Sequence, residues 1–149
     1  MNGEAGSGAW FDDVRIGERF ARSLTVTETH LVLGAGLIGD FNPHHVDETY
    51  AQQSRFGTRI LHGMMTSALM GGAVGMYFHG TAVAYLEHSA SFKAPVRAGD
   101  TLLTTWTVVE RHDKPQHGGG VVVLRATCRN QSGAIVAEAD AKMLVQARG

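Results

Sequence analysis

The chain has 149 residues, of which 44% are apolar, and this is enough for one domain with a hydrophobic core. Its formal net charge is -1, without a basic cluster or a long acidic run, which argues against a nucleic-acid partner and against an anionic membrane surface. The single cysteine, Cys128, excludes an internal disulfide and predicts a reducing, cytoplasmic location.

The amino-terminal segment differs in composition from the rest of the chain. Residues 1–9 are rich in Gly, Ser and Ala and lack the basic and apolar regions of a secretory signal. We predict a flexible tail over these residues. The remaining residues, 10–149, show no internal repeat and are predicted to form a single domain.

The first half of the domain alternates between structure types. An alternating apolar pattern predicts a strand over Arg19–Val26. Capping residues from Thr27 onward then predict a short helix that stops in the glycine-rich stretch ending at Gly39. A second short helix is predicted over Asp47–Gln53, with Asp47 as its cap.

The most informative stretch is Gly39–His45, in which Asp40 and His45 stand on either side of a turn that contains Pro43. A carboxylate and an imidazole can share one water near neutral pH as base and acid. Proline fixes its own φ and biases the residue before it towards extended geometry, so the connection is predicted to be rigid. The alternative is an ordinary turn, in which Asx side chains bond their own backbone and the histidine is structural.

An apolar run over Gly63–Phe78 predicts a long helix of about 24 Å. Apolar side chains lie all round it, as in a helix that is buried on most sides. It is shorter than the roughly 20 apolar residues that cross a bilayer, and glycines interrupt it. Its first N–H groups have no acceptor within the helix and are free for a developing negative charge. A water-handling pair followed by such a helix start predicts chemistry on a carbonyl compound.

After Gly80 the apolar period changes to two, which predicts four long strands. These are Ala82–Ala94, Thr101–Arg111, Gly120–Asn130 and Ala134–Val145. The links between them are hairpin-like and predict antiparallel pairing of successive strands, and the glycine-rich link over residues 113–120 is predicted to be a mobile exposed loop. One long helix and about five strands indicate an α+β fold, with a curved antiparallel sheet around the helix.

Several segments together match the motif pattern of a known family. They are Gly39–His45 with the following Val46–Ala51, then His62-Gly63-Met64, then Phe92–Val96 and Gly99-Asp100-Thr101. In these residues the chain resembles the MaoC-like, (R)-specific enoyl-CoA hydratases. The resemblance extends over roughly the whole predicted domain and implies the hot-dog fold, a long central helix wrapped by an antiparallel sheet.

The resemblance also implies roles for individual residues. Asp40 and His45 correspond to the catalytic pair, and Asn42 to a residue that places the water or shapes the loop. The Gly63 N–H corresponds to the oxyanion donor to a thioester carbonyl. His62 and Met64, which flank Gly63, are predicted to contact the substrate, with packing or capping as the alternative role of His62 and core filling as that of Met64.

The implied reaction is the (R)-specific hydration of a 2-enoyl-CoA thioester, or the reverse dehydration, so the predicted partner is an acyl-CoA thioester. A 3-hydroxyacyl-ACP dehydratase, an acyl-CoA thioesterase and a thioester-binding module remain as alternatives. No cofactor is implied, and no metal site is predicted because the sequence has no His-Glu-x-x-His or Cys/His ligand motif. A homodimer or a higher even-numbered oligomer is predicted, since a single sheet leaves an edge that a second copy can cover.

Overall fold

The computed structural model describes residues 6–149, which form one antiparallel sheet and four α-helices. The strands are β1 (Arg19–Thr25), β2 (Ala82–Phe92), β3 (Thr101–Lys114), β4 (Gly119–Arg129) and β5 (Ile135–Gln146). The helices are α1 (Glu28–Ile38), α2 (Pro43–Val46), α3 (Glu48–Gln52) and α4 (Gly63–Tyr77). The strand order across the sheet is β1-β3-β4-β5-β2, and the predicted α+β class is confirmed.

The long helix α4 packs against the sheet, and its core contacts explain why it lies there. Trp106 of β3 is fully buried, and its indole Nε1 donates a hydrogen bond to the Met70 carbonyl of α4 at 3.0 Å. Along β3, β4 and β5, alternate residues are buried, so one face of the sheet supplies the core. The apolar residues that recur along the strands and along the helix in the sequence are therefore the residues that meet at this interface.

Within this chain α4 is buried on one side, and not on most sides as its apolar pattern predicted. Met70 and Val74 are fully buried, whereas Met64 and Met76 on the opposite flank are exposed. The reason is that a single sheet covers one side of a helix and leaves an apolar flank uncovered. Within residues 6–149, none of the helices combines the length and the apolar character that crossing a bilayer requires.

The predicted hairpin between the second and third strands is wrong. β2 lies at one edge of the sheet and pairs with β5, with Phe92 opposite Ala137. The link that follows β2 instead crosses to the far part of the sheet. On the way its Val96 carbonyl accepts a hydrogen bond from Leu61 N–H at 2.7 Å, so the link lies against the segment that precedes α4.

The predicted exposed loop over residues 113–120 is present but shorter than expected, since residues 115–118 are exposed and the strands extend into both of its ends. β3 continues to Lys114, one 3₁₀ turn over Pro115–His117 follows, and β4 begins at Gly119. Gly120 is buried, and a Cβ placed on it would lie 2.2 Å from the Phe11 ring. The glycines here permit close packing of the turn against the core.

Of the predicted flexible tail, residues 1–5 lie outside the described residues. At its other end, Gly8 N–H donates to the His79 carbonyl at 2.6 Å and Ala9 N–H to the Tyr77 carbonyl at 3.0 Å. The Ala9 carbonyl accepts in turn from the Thr81 hydroxyl at 2.5 Å. Residues 8 and 9 are therefore attached at the carboxyl end of α4.

Candidate active site

The end of α1 and the start of α2 carry the predicted acid–base motif. α1 runs through the glycine-rich stretch to Ile38 and is capped by Gly39, whose φ of 73° is left-handed and favours glycine. Asp40 follows, and its Oδ1 accepts a hydrogen bond from Asn42 N–H at 3.0 Å. Asn42 caps α2 by accepting from His44 N–H at 3.2 Å, with Pro43 as the first helical residue. The Asx turn is therefore present, and it orients the Asp40 carboxylate.

The second carboxylate oxygen of Asp40 faces His45. Oδ2 lies 3.7 Å from His45 Nε2, which is beyond hydrogen-bond length, so one water can bond to both groups at once. His45 Nδ1 donates to the Ile60 carbonyl at 2.8 Å, which leaves Nε2 as the working nitrogen. The side chain of Asp40 is 49% exposed and that of His45 14%, so the pair is reached from the aspartate side.

His62 lies beneath this pair. Its side chain is buried, its Nε2 donates to the Asp40 backbone carbonyl at 2.8 Å, and its ring stacks on His45 with centroids 3.8 Å apart. Its Nδ1 has no partner among the described residues and faces α1 at Gly34, where a Cβ would lie 3.2 Å away. This geometry fits the alternative role of packing better than the predicted contact with substrate.

α4 begins at Gly63, directly after His62, and the N–H of this first residue has no acceptor in the helix. The helix has 15 residues, and its dipole adds partial positive charge at this end. A Cβ on Gly63 would lie 3.1 Å from the Phe92 ring, so the missing side chain lets β2 approach closely. Met64 is 68% exposed and lies on the outer flank of α4. Gly63 therefore directly follows the residue that stacks on His45, and Met64 faces outwards.

An apolar cleft of about 410 Å³ adjoins the start of α4. Its lining includes Ile60, Gly63 and Phe92, so it reaches the residue whose carbonyl holds His45. A larger hollow of about 520 Å³ is lined by the ion-paired Arg125 and Asp140 of β4 and β5. Neither cavity is lined by Asp40 or His45, but the apolar cleft is lined by Ile60, whose carbonyl holds His45, and by Gly63, whereas the larger hollow includes no residue of these segments. The apolar cleft is therefore the candidate binding cleft.

A chain of hydrogen bonds lies further along α4. Tyr85 Oη is 2.7 Å from His88 Nδ1, and His88 Nε2 is 2.6 Å from Ser67 Oγ, one helical turn after Gly63. A Cβ on Gly71 would lie 3.5 Å from the Tyr85 hydroxyl, so this network borders Gly71. The space beside α4 beyond Gly63 is therefore polar and filled.

Burial sets the charge state of this network. Desolvation lowers the pKa of His88 and raises the pKa of Tyr85 to about 12, so both are neutral near pH 7. His88 faces Ser67 of α4 from the inner face of the sheet, whereas its neighbour Glu87 forms an ion pair with Lys142 at 3.1 Å.

One donor atom from each of Asp40, His45 and His62 lies within 4.8 Å of the others, a spacing compatible with metal ligands. The neighbouring His44 turns the other way and packs edge-on against Tyr50. His62 Nε2 already donates to a carbonyl and its Nδ1 is enclosed, so neither nitrogen is available without rearrangement. The arrangement suits acid–base chemistry better than metal ligation.

Three residues near the site, Ile60, Ser67 and Tyr85, were not predicted from the sequence. Ile60 acts through its backbone carbonyl, which carries no residue-type signal. Ser67 and Tyr85 are brought to His88 only by the packing of α4 on β2. The sequence did contain one signal for this network. Ser67 is a small polar residue one helical turn after Gly63, and His88 is a polar residue in a strand that packs beside that helix.

Known proteins share the fold described above. The family model for the MaoC like domain matches residues 14–128. The chain belongs to the MaoC-like domain family.

Two relatives of this MaoC-like chain match over nearly their full length. An (R)-specific enoyl-CoA hydratase of Rhodospirillum rubrum is 38% identical over 140 residues, which is 94% of either chain. An (R)-specific enoyl-CoA hydratase of Aeromonas caviae is 31% identical over 129 residues, 86% of this chain and 92% of that one. Among solved structures, the unliganded R-hydratase PhaJ1 of Pseudomonas aeruginosa has a TM-score of 0.85 and 27% identity, and the match covers 95% of this chain and 88% of that chain. The predicted hot-dog fold is thereby confirmed for this MaoC-like chain.

Proposed function

We propose that this MaoC-like protein is a hydro-lyase that adds water to 2-enoyl-CoA thioesters, gives (3R)-3-hydroxyacyl-CoA, and catalyses the reverse dehydration. The observation that carries this proposal is the 3.7 Å approach of Asp40 Oδ2 to His45 Nε2 beside the start of α4. The (R) stereochemistry and the thioester class come from the names of the relatives.

In the proposed mechanism, one water lies between Asp40 Oδ2 and His45 Nε2. Asp40 accepts a proton from this water as the water oxygen attacks Cβ, and protonated His45 delivers a proton from Nε2 to Cα. A Cβ–O and a Cα–H bond form, the carbon–carbon double bond becomes single, and the proton on Asp40 passes to His45 to restore the pair. Positioned proton transfer of this kind contributes on the order of 10²–10⁴ in rate.

Negative charge develops on the thioester oxygen while the enolate exists. The Gly63 N–H is the proposed donor to this oxygen, because it is the first residue of α4 and the helix dipole favours charge there. One fixed donor of this kind lowers the barrier by roughly 3 kcal/mol. Asn42 contributes by holding the turn between Asp40 and His45, and Met64 is proposed to border the acyl chain from the outer flank.

The direct test follows the absorbance of crotonyl-CoA with the wild-type protein and with Asp40→Asn and His45→Ala. We expect kcat to fall by about 10²–10⁴ in each variant. Asp47→Asn is the matched control, because Asp47 lies in the same motif but only caps α3 through Tyr50 N–H, and asparagine caps equally well. Full activity in both site variants would overturn the assignment.

The carrier is tested separately. Crotonyl groups on coenzyme A and on acyl carrier protein compete at equal concentration, and we expect preference for coenzyme A. A thiol-trapping dye detects thioesterase activity, which we expect to be absent. Release of free thiol from acyl-CoA in place of hydration would favour the thioesterase alternative.

We propose that two copies pair through β2. This 11-residue strand is the last in the sheet order, and apolar side chains such as Val83 and Leu86 are exposed along it. Light scattering at micromolar concentration is expected to give the mass of a dimer or a higher even-numbered oligomer, and a monomer mass would contradict the proposal. We also propose a cytoplasmic location, because the one cysteine of the chain, Cys128, has no second cysteine with which to form an internal disulfide.

A further inference from the structure

We propose that Arg59 is a positioning residue that holds Asp40 and His45 at their working separation. It does so by joining α1, which precedes Asp40, and α3, which follows His45, to the segment that carries the Ile60 carbonyl. This inference rests on the proposed function of the Asp40–His45 pair. Arg59 touches neither member of the pair, so its effect has to pass through the elements that it joins.

The first contact of Arg59 is with α1. Its Nη1 lies 2.7 Å from Glu28 Oε1, and its Nη2 donates to Glu28 Oε2 at 2.9 Å. This is a two-pronged pair with a geometry that fixes orientation as well as distance. Glu28 is the first residue of α1, and Asp40 follows the Gly39 cap at the other end of that helix. A fixed α1 therefore fixes the point from which the Asp40 turn departs.

The second contact is with α3. Arg59 Nε donates to Glu48 Oε2 at 2.9 Å, and the other oxygen of Glu48 accepts from the Thr58 hydroxyl at 2.8 Å. Glu48 is the first residue of α3, and the preceding helix α2 carries His45. Arg59 thus links the element before Asp40 to the element after His45.

The third link is the backbone of Ile60, the residue that follows Arg59. Ile60 N–H donates to the His44 carbonyl at 3.0 Å, and the Ile60 carbonyl accepts from His45 Nδ1 at 2.8 Å. The residue next to Arg59 therefore holds both the backbone and the ring of the histidine segment. If Arg59 shifts relative to α1 and α3, the Ile60 carbonyl shifts with it. That carbonyl is the acceptor that keeps His45 Nε2 facing the Asp40 carboxylate.

This ion-pair network differs from an ordinary surface pair. The Arg59 side chain is 22% exposed and uses three of its nitrogens on two carboxylates, whereas Arg125 is 70% exposed and bonds Asp140 through Nε alone. Hydrogen bonds from Thr58 and Arg59 lower the pKa of Glu48, and the hydrogen bonds that Arg59 donates to Glu28 and Glu48 raise the pKa of Arg59, so Glu48 and Arg59 stay charged across the working pH range. Isolated exposed pairs contribute little, which makes Arg125 the matched control.

The experiment compares Arg59→Gln, Arg59→Lys, Glu28→Gln and the control Arg125→Gln. Two readouts are used: kcat and KM with crotonyl-CoA, and the long-range ¹H–¹⁵N spectrum of the histidine rings without substrate. We expect Arg59→Gln to lower kcat by on the order of 10- to 100-fold with KM nearly unchanged, because small misplacement of reacting groups costs this much. The His45 Nδ1–H signal should weaken or broaden, Arg59→Lys should recover part of both losses, and Arg125→Gln should change neither.

Two results would overturn the inference. One is an Arg59→Gln protein with the activity and the His45 signal of Arg125→Gln, and the other is a loss of kcat with the His45 signal unchanged. If Arg59→Gln does not fold, Glu28→Gln decides the question, because it removes only the partner on α1 and is expected to give a smaller loss in the same direction. If the wild-type protein does not hydrate crotonyl-CoA, the proposed function fails, and the ring spectrum still judges the role of Arg59.

Discussion

The imidazole of His62 lies 3.8 Å from the imidazole of His45, with an interplanar angle of 27°, and His62 Nε2 also donates to the carbonyl of Asp40. One buried side chain therefore contacts both members of the acid–base pair. Its Nδ1 has no hydrogen-bond partner among residues 6–149, so His62 acts on the pair through its Nε2 donor and the face of its ring.

The first prediction separates the two contacts of His62. His62→Phe keeps a ring against His45 but no donor to Asp40, whereas His62→Gln keeps a donor but no ring. We expect both variants to lose activity and His62→Phe to lose more kcat, because the hydrogen bond sets the position of the Asp40 backbone. Its loss should also lower the free energy of unfolding by about 1 kcal/mol. Steady-state kinetics and urea unfolding measure these effects, and a His62→Phe protein with wild-type kcat would contradict them.

The second prediction concerns Gly63. An alanine Cβ there would meet the Phe92 ring at 3.1 Å, so the helix start or the ring must move. We expect Gly63→Ala to lower kcat by up to about 10²-fold, because the proposed oxyanion donor is displaced. The double variant Gly63→Ala/Phe92→Leu makes room again and should recover part of the lost kcat. A kcat that stays low in the double variant would show that the ring contact is not the cause.

The third prediction is that one substitution has opposite effects at two helical glycines. Gly75 of α4 has open space where a Cβ would lie, so Gly75→Ala should raise the free energy of unfolding by about 0.5–1 kcal/mol. At Gly34 of α1 a Cβ would lie 2.8 Å from Met65 Cγ and 3.2 Å from His62 Nδ1. Gly34→Ala should therefore lower the free energy of unfolding by about 1–3 kcal/mol. Urea unfolding of both variants tests the signs, and equal effects at the two sites would refute this account.

The fourth prediction follows from the lowered pKa of His88, which burial causes. The unfolded chain binds the His88 proton near about pH 6.5, whereas the folded chain binds it only at lower pH. The contribution of His88 to stability is therefore complete above about pH 6.5 and decreases as the pH falls below that value. His88→Gln removes the titrating group, and its unfolding free energy should fall less steeply with decreasing pH in this range. An unchanged slope would assign the pH dependence to another group.

The elements with a clear period were predictable from the sequence. Residues 19–26, 82–94 and 134–145 alternate because one face of the sheet is buried, and the observed strands differ from these ranges by a few residues at their ends. The acid–base turn was predictable because Asp40, Pro43 and His45 are close in the chain and constrain each other locally.

What the sequence did not determine depends on contacts between distant residues. The link after Phe92 was predicted to be a hairpin, but β2 pairs with β5, and the Val96 carbonyl of the link accepts from Leu61 N–H before α4. Arg59, Glu28 and Glu48 are ordinary surface residue types, and only the folded arrangement of α1 and α3 brings them together. The position of His62 beneath His45 likewise follows from packing, since no local pattern separates a supporting ring from a ligand-binding one.

The pairing of β2 with β5 also determines when the site can be completed during synthesis. The strand that carries Phe92 and His88 leaves the ribosome long before residues 135–146, its partner in the sheet. Until those residues emerge, the apolar strand β2 has no strand to pair with, and Phe92 cannot pack against Gly63. Translation that stalls before the last strand should therefore leave a chain that is prone to aggregate, even though the turn bearing Asp40 and His45 has already been made.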